Sequence, residues 1–265
     1  MLDHGRCANC DRTIDGAAQK FCPACGQPTP VHRIDWHFLG HELEHSVLHM
    51  DRGILYTLKS LMLRPGHLIR DYIHGQRAHH VKPLLLIMTT AAVVVFITQY
   101  FFGGNVMGLP IYSGVADATR EGGNKFDPAL ILKASQAVND WMNHHFAAMT
   151  LLLLPLEAAA FKLAFLRFRN LNYPEWLVIT AFITAQSLLI WGLFIPLQRW
   201  FPGVISWVLL LTVAYGIFSL VQFFADQPRW KSMLRAMLGF GMYMIISSGL
   251  AFVLTVALLI MSHRA

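Results

Sequence analysis

The 265-residue sequence is 55% hydrophobic and only 14% charged, with a mean hydropathy of +0.46. A water-soluble domain of this length needs far more surface charge, so the balance excludes an ordinary soluble enzyme and indicates an integral membrane protein. The net charge of +6 does not argue for nucleic acid, because the basic residues flank apolar stretches, where they set topology and meet anionic lipid.

The chain opens MLDHGRCANC, without the apolar segment of a signal peptide. Residues 1–30 carry all four cysteines, as Cys7-x2-Cys10 and Cys22-x2-Cys25, with eleven residues between the pairs. Two thiolates on one tight turn can reach a single metal, and two such knuckles complete a tetrahedral site. Pro23 within the second pair and Gly26 after it suit a sharp turn. Two disulfides or free thiols compete with this reading, but the ordered double C-x-x-C favours one zinc ion. Four sulfur ligands leave no open position, so such a zinc would be structural. Zinc thiolates need a reducing compartment, which places the N-terminus in the cytoplasm.

Beyond the linker QPTP, residues 31–82 read as amphipathic and basic juxtamembrane helices. Asp35 caps a stripe of Trp36, Leu39, Leu43, Val47, Met50, Ile54, Leu58 and Leu61, predicting a helix of roughly 28 residues. Opposite the stripe stands HELEH, the H-E-x-x-H pattern of zinc peptidases, with His41 and His45 as candidate ligands and Glu42 as candidate base. Hydrolysis needs a third ligand, and His49 lies about 12 Å along the axis from His41 at 1.5 Å per residue. A polar face turned to water, headgroups or the ribbon is the plainer reading, with a non-catalytic metal or pH-sensing His cluster as a further alternative.

Arg64-Pro65-Gly66 stops this helix, and a short one follows over about 67–74, closed by Gly75. His67, Arg70, His74 and Arg77 share one of its faces and Leu68, Ile69, Tyr72 and Ile73 the other, a pattern that lies in the bilayer interface. Arg64, Arg70 and Arg77 are candidates to clamp one phosphate or lipid headgroup; unspecific attraction to anionic lipid is the simpler account.

Residues 83–265 form the membrane domain, with five spans at about 84–102, 147–166, 176–196, 204–224 and 238–261. The Gly-rich stretch after the first span reads as an extramembrane loop, with a helix near 129–144 returning the chain to the bilayer. An internal N-terminus puts Arg167, Arg169, Arg229, Lys231 and Arg235 inside with the seven basic residues of 33–82, as the positive-inside rule requires. Five spans then send the C-terminus out. Glu157 lies near the middle of the second span, where an ionisable group needs a partner; Gln186 and Gln222 are the nearest candidates by chain reasoning. A structural hydrogen bond and a proton- or substrate-coupled role both stay open for it.

The order of features resembles a bacterial membrane-protein family known only as domain of unknown function 3667. The residues that carry the likeness are CPACGQ, the stretch from Val31 through HELEHSVLHMDRGILYTLKSLMLRPGHLIRDYIHGQR, and the Pro83 entry to the first span. LLPLEA around Pro155, NYPEW at 172–176 and WKSMLRAMLGFGMY at 230–243 are weaker echoes. The resemblance implies a bacterial inner-membrane protein and brings no activity with it. No nucleotide loop or nucleophile elbow is present in the sequence. The expected function is therefore non-enzymatic: regulation, assembly or scaffolding, through a ribbon that engages a cytoplasmic protein or anionic lipid. The alternatives are a transporter or flippase of a phosphate-bearing or lipid-linked substrate, and a metal-dependent membrane hydrolase. Membrane lipids and a protein at the cytoplasmic face are the expected partners; a homo-oligomer is left open.

Overall fold

A computed structural model of the chain describes residues 5–14, 19–40, 53–102, 137, 140–141, 143–166, 171–201 and 203–264. Its helices are α1 (Ile54–Leu63), α2 (Pro65–Ile73), α3 (Pro83–Phe102), α4 (Phe146–Ala164), α5 (Tyr173–Phe194), α6 (Val204–Phe223) and α7 (Arg229–Arg264), with a 3-10 turn at Ile195–Arg199. No strand occurs among the described residues; the N-terminal ribbon has two isolated bridges, Arg6 with Thr13 and Phe21 with Pro28. The all-α class holds.

Among the described residues, five helices are long and apolar enough to cross a membrane: Pro83–Phe101, Phe146–Ala164, Tyr173–Arg199, Val204–Phe223 and Arg229–Leu254. Four agree with the expected spans to within a few residues. The last starts nine residues before the expected 238, because its helix runs on through Arg229, Lys231 and Arg235 rather than beginning after them. The third starts early for a local reason. Asn172 caps α5, its side chain accepting from the Glu175 amide at 2.8 Å while Glu175 accepts from the Asn172 amide at 2.7 Å.

α5 is the central pillar, packed against α3, α4 and α6, while α7 lies outside against α4 and α6. Trp176, Ile179, Phe182 and Ile183 of α5 are fully buried. Two polar contacts cross this apolar interior: Thr184 donates to Glu157 at 2.8 Å, and Ser219 donates to Gln186 at 2.9 Å. Gln186 is thirteen residues into α5 and Ser219 four from the end of α6. Toward the ribbon, α5 therefore overhangs α6 by nine residues, about 13 Å at 1.5 Å per residue.

α2 fills that shelf. Pro65 opens it, where a missing N–H costs nothing, and a Schellman turn closes it: Gly75 (φ +100°) donates to Tyr72 O and Gln76 to Asp71 O. The apolar side expected in the acyl boundary is turned to protein instead. Leu68, Ile69 and Tyr72 are buried in the bundle core, with the Tyr72 ring edge-on to Phe182 at 5.2 Å. Each buried side chain of this size contributes roughly 1.5–3 kcal/mol, which outweighs a half-exposed position on lipid headgroups. Of the long helix predicted from Asp35, the structure shows a helical turn at 36–40 and the α1 segment; residues 41–52 lie outside the described ones.

Candidate metal centre

The ribbon is two copies of one knuckle. In the first, Cys7 N donates to Arg12 O and Asp11 N to Cys7 O; in the second, Cys22 N donates to Gln27 O and Gly26 N to Cys22 O. Asp11 and Gly26 fill equivalent places, both with positive φ, 58° and 72°. Glycine meets that demand without strain, and Asp is among the few side chains that tolerate it. The two turns aim four thiols at one point. Cys7 Sγ lies 3.6 Å from Cys25 Sγ, Cys10 Sγ lies 3.6 Å from Cys22 Sγ, and all four sulfurs fall within 4.8 Å of one another.

These separations rule out disulfides, whose sulfurs stand about 2.05 Å apart. The set can hold one metal ion, and four thiolates close its coordination. The Ala24 amide, working against burial and joined by the Cys25 amide, holds the Cys22 thiol down at about 6. Burial pushes Cys7 up.

The centre is fixed to the membrane bundle rather than tethered to it. Gln27, next to Gly26 and 2% exposed, accepts from the Arg77 and Ala78 amides at 3.0 and 2.8 Å. Gly75 permits the close approach, since a Cβ there would meet Val31 Cγ1 at 2.5 Å. Downstream, Arg33 grips the carboxylate of Glu175 with two bonds of 2.7 and 2.8 Å, and Asn172 donates to Ile34 O at 2.8 Å. Trp36 meets the Tyr173 ring at 5.7 Å. Two residues of the cap that starts α5 therefore also clamp the segment that follows the linker. Sequence reading passed over them; the signal was NYPEW, an N-cap, proline and Glu in capping-box spacing, with Arg33 far away in the chain.

The other candidates scatter. Arg70 donates to Phe223 O, at the end of α6, and to Asp226 at 3.2 Å. Arg77 donates to Tyr72 O and His32 O, with its guanidinium 4.4 Å from the Phe38 ring centre. Arg64 is exposed at the elbow between α1 and α2. Two of the three guanidinium groups are held by different carbonyls of the chain itself, and the structure does not bring the three onto one point. Glu157 is 6% exposed and is met by Thr184; Gln186 pairs with Ser219, and Gln222 accepts from the Gly66 amide at 2.8 Å. His41, Glu42, His45 and His49 lie outside the described residues, as do Arg167 and Arg169 and nearly all of the loop after α3.

No curated protein and no solved structure matches the chain. One family does, described as "Protein of unknown function (DUF3667)", over residues 51–95. That segment begins after the cysteines and takes in α1, the Arg-Pro-Gly elbow, α2 and the first part of α3. Over the helical elbow and its entry into the bundle, the chain resembles this family of unknown function.

Proposed function

We propose that the chain is a multi-pass protein of the bacterial inner membrane whose cytoplasmic ribbon holds one structural zinc and serves, without catalysis, as a fixed docking platform for a cytoplasmic protein. The seating of the ribbon carries this reading: Gln27 ties it to the 77–78 amides between α2 and α3, and Arg33 ties the segment after it to Glu175 of the central helix. A mere anchor needs neither bond. The 3.6 Å sulfur pairs suit zinc, whose bonds of about 2.3 Å place tetrahedral sulfurs about 3.8 Å apart. Thiolate chemistry and the basic residues of 33–82 favour the cytoplasmic side. Phe21, 60% exposed on the ribbon, and Trp36, 63% exposed against Tyr173, offer aromatic contacts to a partner.

One observation supports a transporter as the second reading: the buried Glu157–Thr184 pair between α4 and α5. Metal analysis and a cellular phenotype of the deletion separate the readings. The platform expects one zinc per chain, lost in Cys22→Ser together with the phenotype and retained in His41→Ala. It also expects Glu42→Gln and Glu157→Ala to keep the phenotype. A second metal that survives the cysteine variants and is lost in His41→Ala would establish the hydrolase instead. Loss of function in Glu157→Ala at full expression, with the ribbon metal intact, would favour transport.

A further inference from the structure

α1 has one face too many for a helix that only covers the bundle. Thr57 and Leu61 are fully buried on its inner side. On its outer side Leu55 is 79% exposed, Tyr56 54% and Leu63 65%, with exposed Lys59 among them. Its position relative to the spans is fixed at both ends. At the start, the Thr57 hydroxyl accepts from the Val81 amide at 3.0 Å, two residues before α3 enters the membrane. At the far end, the Met62 carbonyl accepts from the Tyr215 hydroxyl, two turns inside α6.

The elbow that follows is wedged against the last turn of the same helix. A Cβ on Gly66 would overlap Phe223 N, Gln222 Cβ and Ser219 O, so backbone lies against backbone over the last turn of a span. The Gly66 amide is satisfied there by Gln222, as an amide away from water must be. α1 thus starts beside Val81, just ahead of the first apolar span, and ends beside Tyr215, inside the apolar stretch of α6.

We propose that α1, the Arg64–Gly66 elbow and α2 form a half-inserted hairpin in the ribbon-side leaflet, with phospholipid acyl chains covering Leu55, Tyr56 and Leu63. The outer face of α6 supplies the continuity: Leu211 and Phe218, neighbours of Tyr215 along that helix, are 43% and 47% exposed and meet the same lipid. Lys59 and Arg64 fit this seat, because their long stems carry charge back to the headgroups while apolar neighbours stay among the chains. The inference rests on the five spans and not on the platform reading, since a transporter would hold the same hairpin.

The test reconstitutes the full chain in phospholipid nanodiscs containing a lipid with a photoactivatable group on its acyl chain, and maps adducts by mass spectrometry. Adducts on the 54–63 peptide, alongside those on α6 and α7 and absent from the ribbon, are expected. Leu55→Lys with Leu63→Lys should abolish the 54–63 adducts and spare those on α7. In case that variant does not fold, a water-soluble carbene probe on the wild type gives the converse reading: the outer face of α1 should escape it. The proposal is overturned if α1 is labelled from water and not from lipid, or if it is protected from both by the 41–52 segment, a second copy or another protein, as cross-linked peptides would reveal.

Discussion

The ribbon and the bundle reach order by opposite means. Among the described residues of the ribbon, two cysteines and Gln27 are buried and little else, so four sulfurs placed to hold a metal take the place of a core. The bundle is held by an apolar core instead. Its interior runs unbroken from Leu61 and Tyr72 through Trp176 and Phe182 to Phe240. The two meet through a few directional bonds, and the contrast teaches where each is vulnerable: the ribbon to one lost ligand, the bundle to misplaced volume, the junction to one lost charge.

The sharpest way to break the contrast is to remove the metal. Cys22→Ser, or chelation, should unfold the ribbon, since binding of a structural zinc is worth about 10–16 kcal/mol in small metal-folded peptides. Hydrogen exchange should show residues 5–28 losing protection while α3–α7 keep theirs. Protection lost throughout would mean that the bundle depends on the ribbon. Next comes Gly66→Ala, whose methyl group meets the α6 backbone and cannot be relieved by a side-chain rotation. A cost of about 1–3 kcal/mol in thermal unfolding is expected, with the metal content unchanged.

Glu175→Ala acts on the junction. It removes half of the α5 capping box and the grip on Arg33, and should cost about 1–2 kcal/mol, most of it from the cap because Arg33 is 59% exposed. Exchange at residues 31–36 should rise before anything else moves, and Glu175→Gln should recover part of the loss. The mildest effect is a pH dependence at the base of α3. Burial holds His80 below the usual imidazole value, against the opposing pull of Asp71 and with a smaller push from His79, and its Nδ1 has no partner among the described residues. The neutral ring is the one that fits. Its stabilising effect is whole above the unfolded value of 6.5 and is lost as pH falls through the lower folded value. Melting temperatures should therefore sag slightly below pH 6.5, and His80→Phe should flatten that sag.

Much of this was legible beforehand, for reasons that lie in the residues. C-x-x-C spacing is a local geometry, so Cys7, Cys10, Cys22 and Cys25 could be assigned to one centre without knowing anything distant. Membrane spans announce themselves by length and composition. The dock was illegible because Arg33 and Glu175 are 142 residues apart, and nothing in either neighbourhood names the other. The face of α2 misled for a related reason: an amphipathic helix shows that it has an apolar side, not whether lipid or protein will cover it. Hydropathy likewise failed to rank the spans. α5 and α7 look equally suited to lipid, yet 67% of the apolar stretch is buried in α5 and 11% in α7.

The overhang of α5 makes it a lever. Gly192 rests against Val94 near the far end, and Glu175 holds the segment after the linker at the near end, seventeen residues away. At 1.5 Å per residue that arm is about 25 Å, so a tilt of about 10° at the far end would swing Glu175 by about 4 Å. Any tilt of the central helix about its far end would thus be felt most at Arg33, the residue that joins it to the ribbon segment.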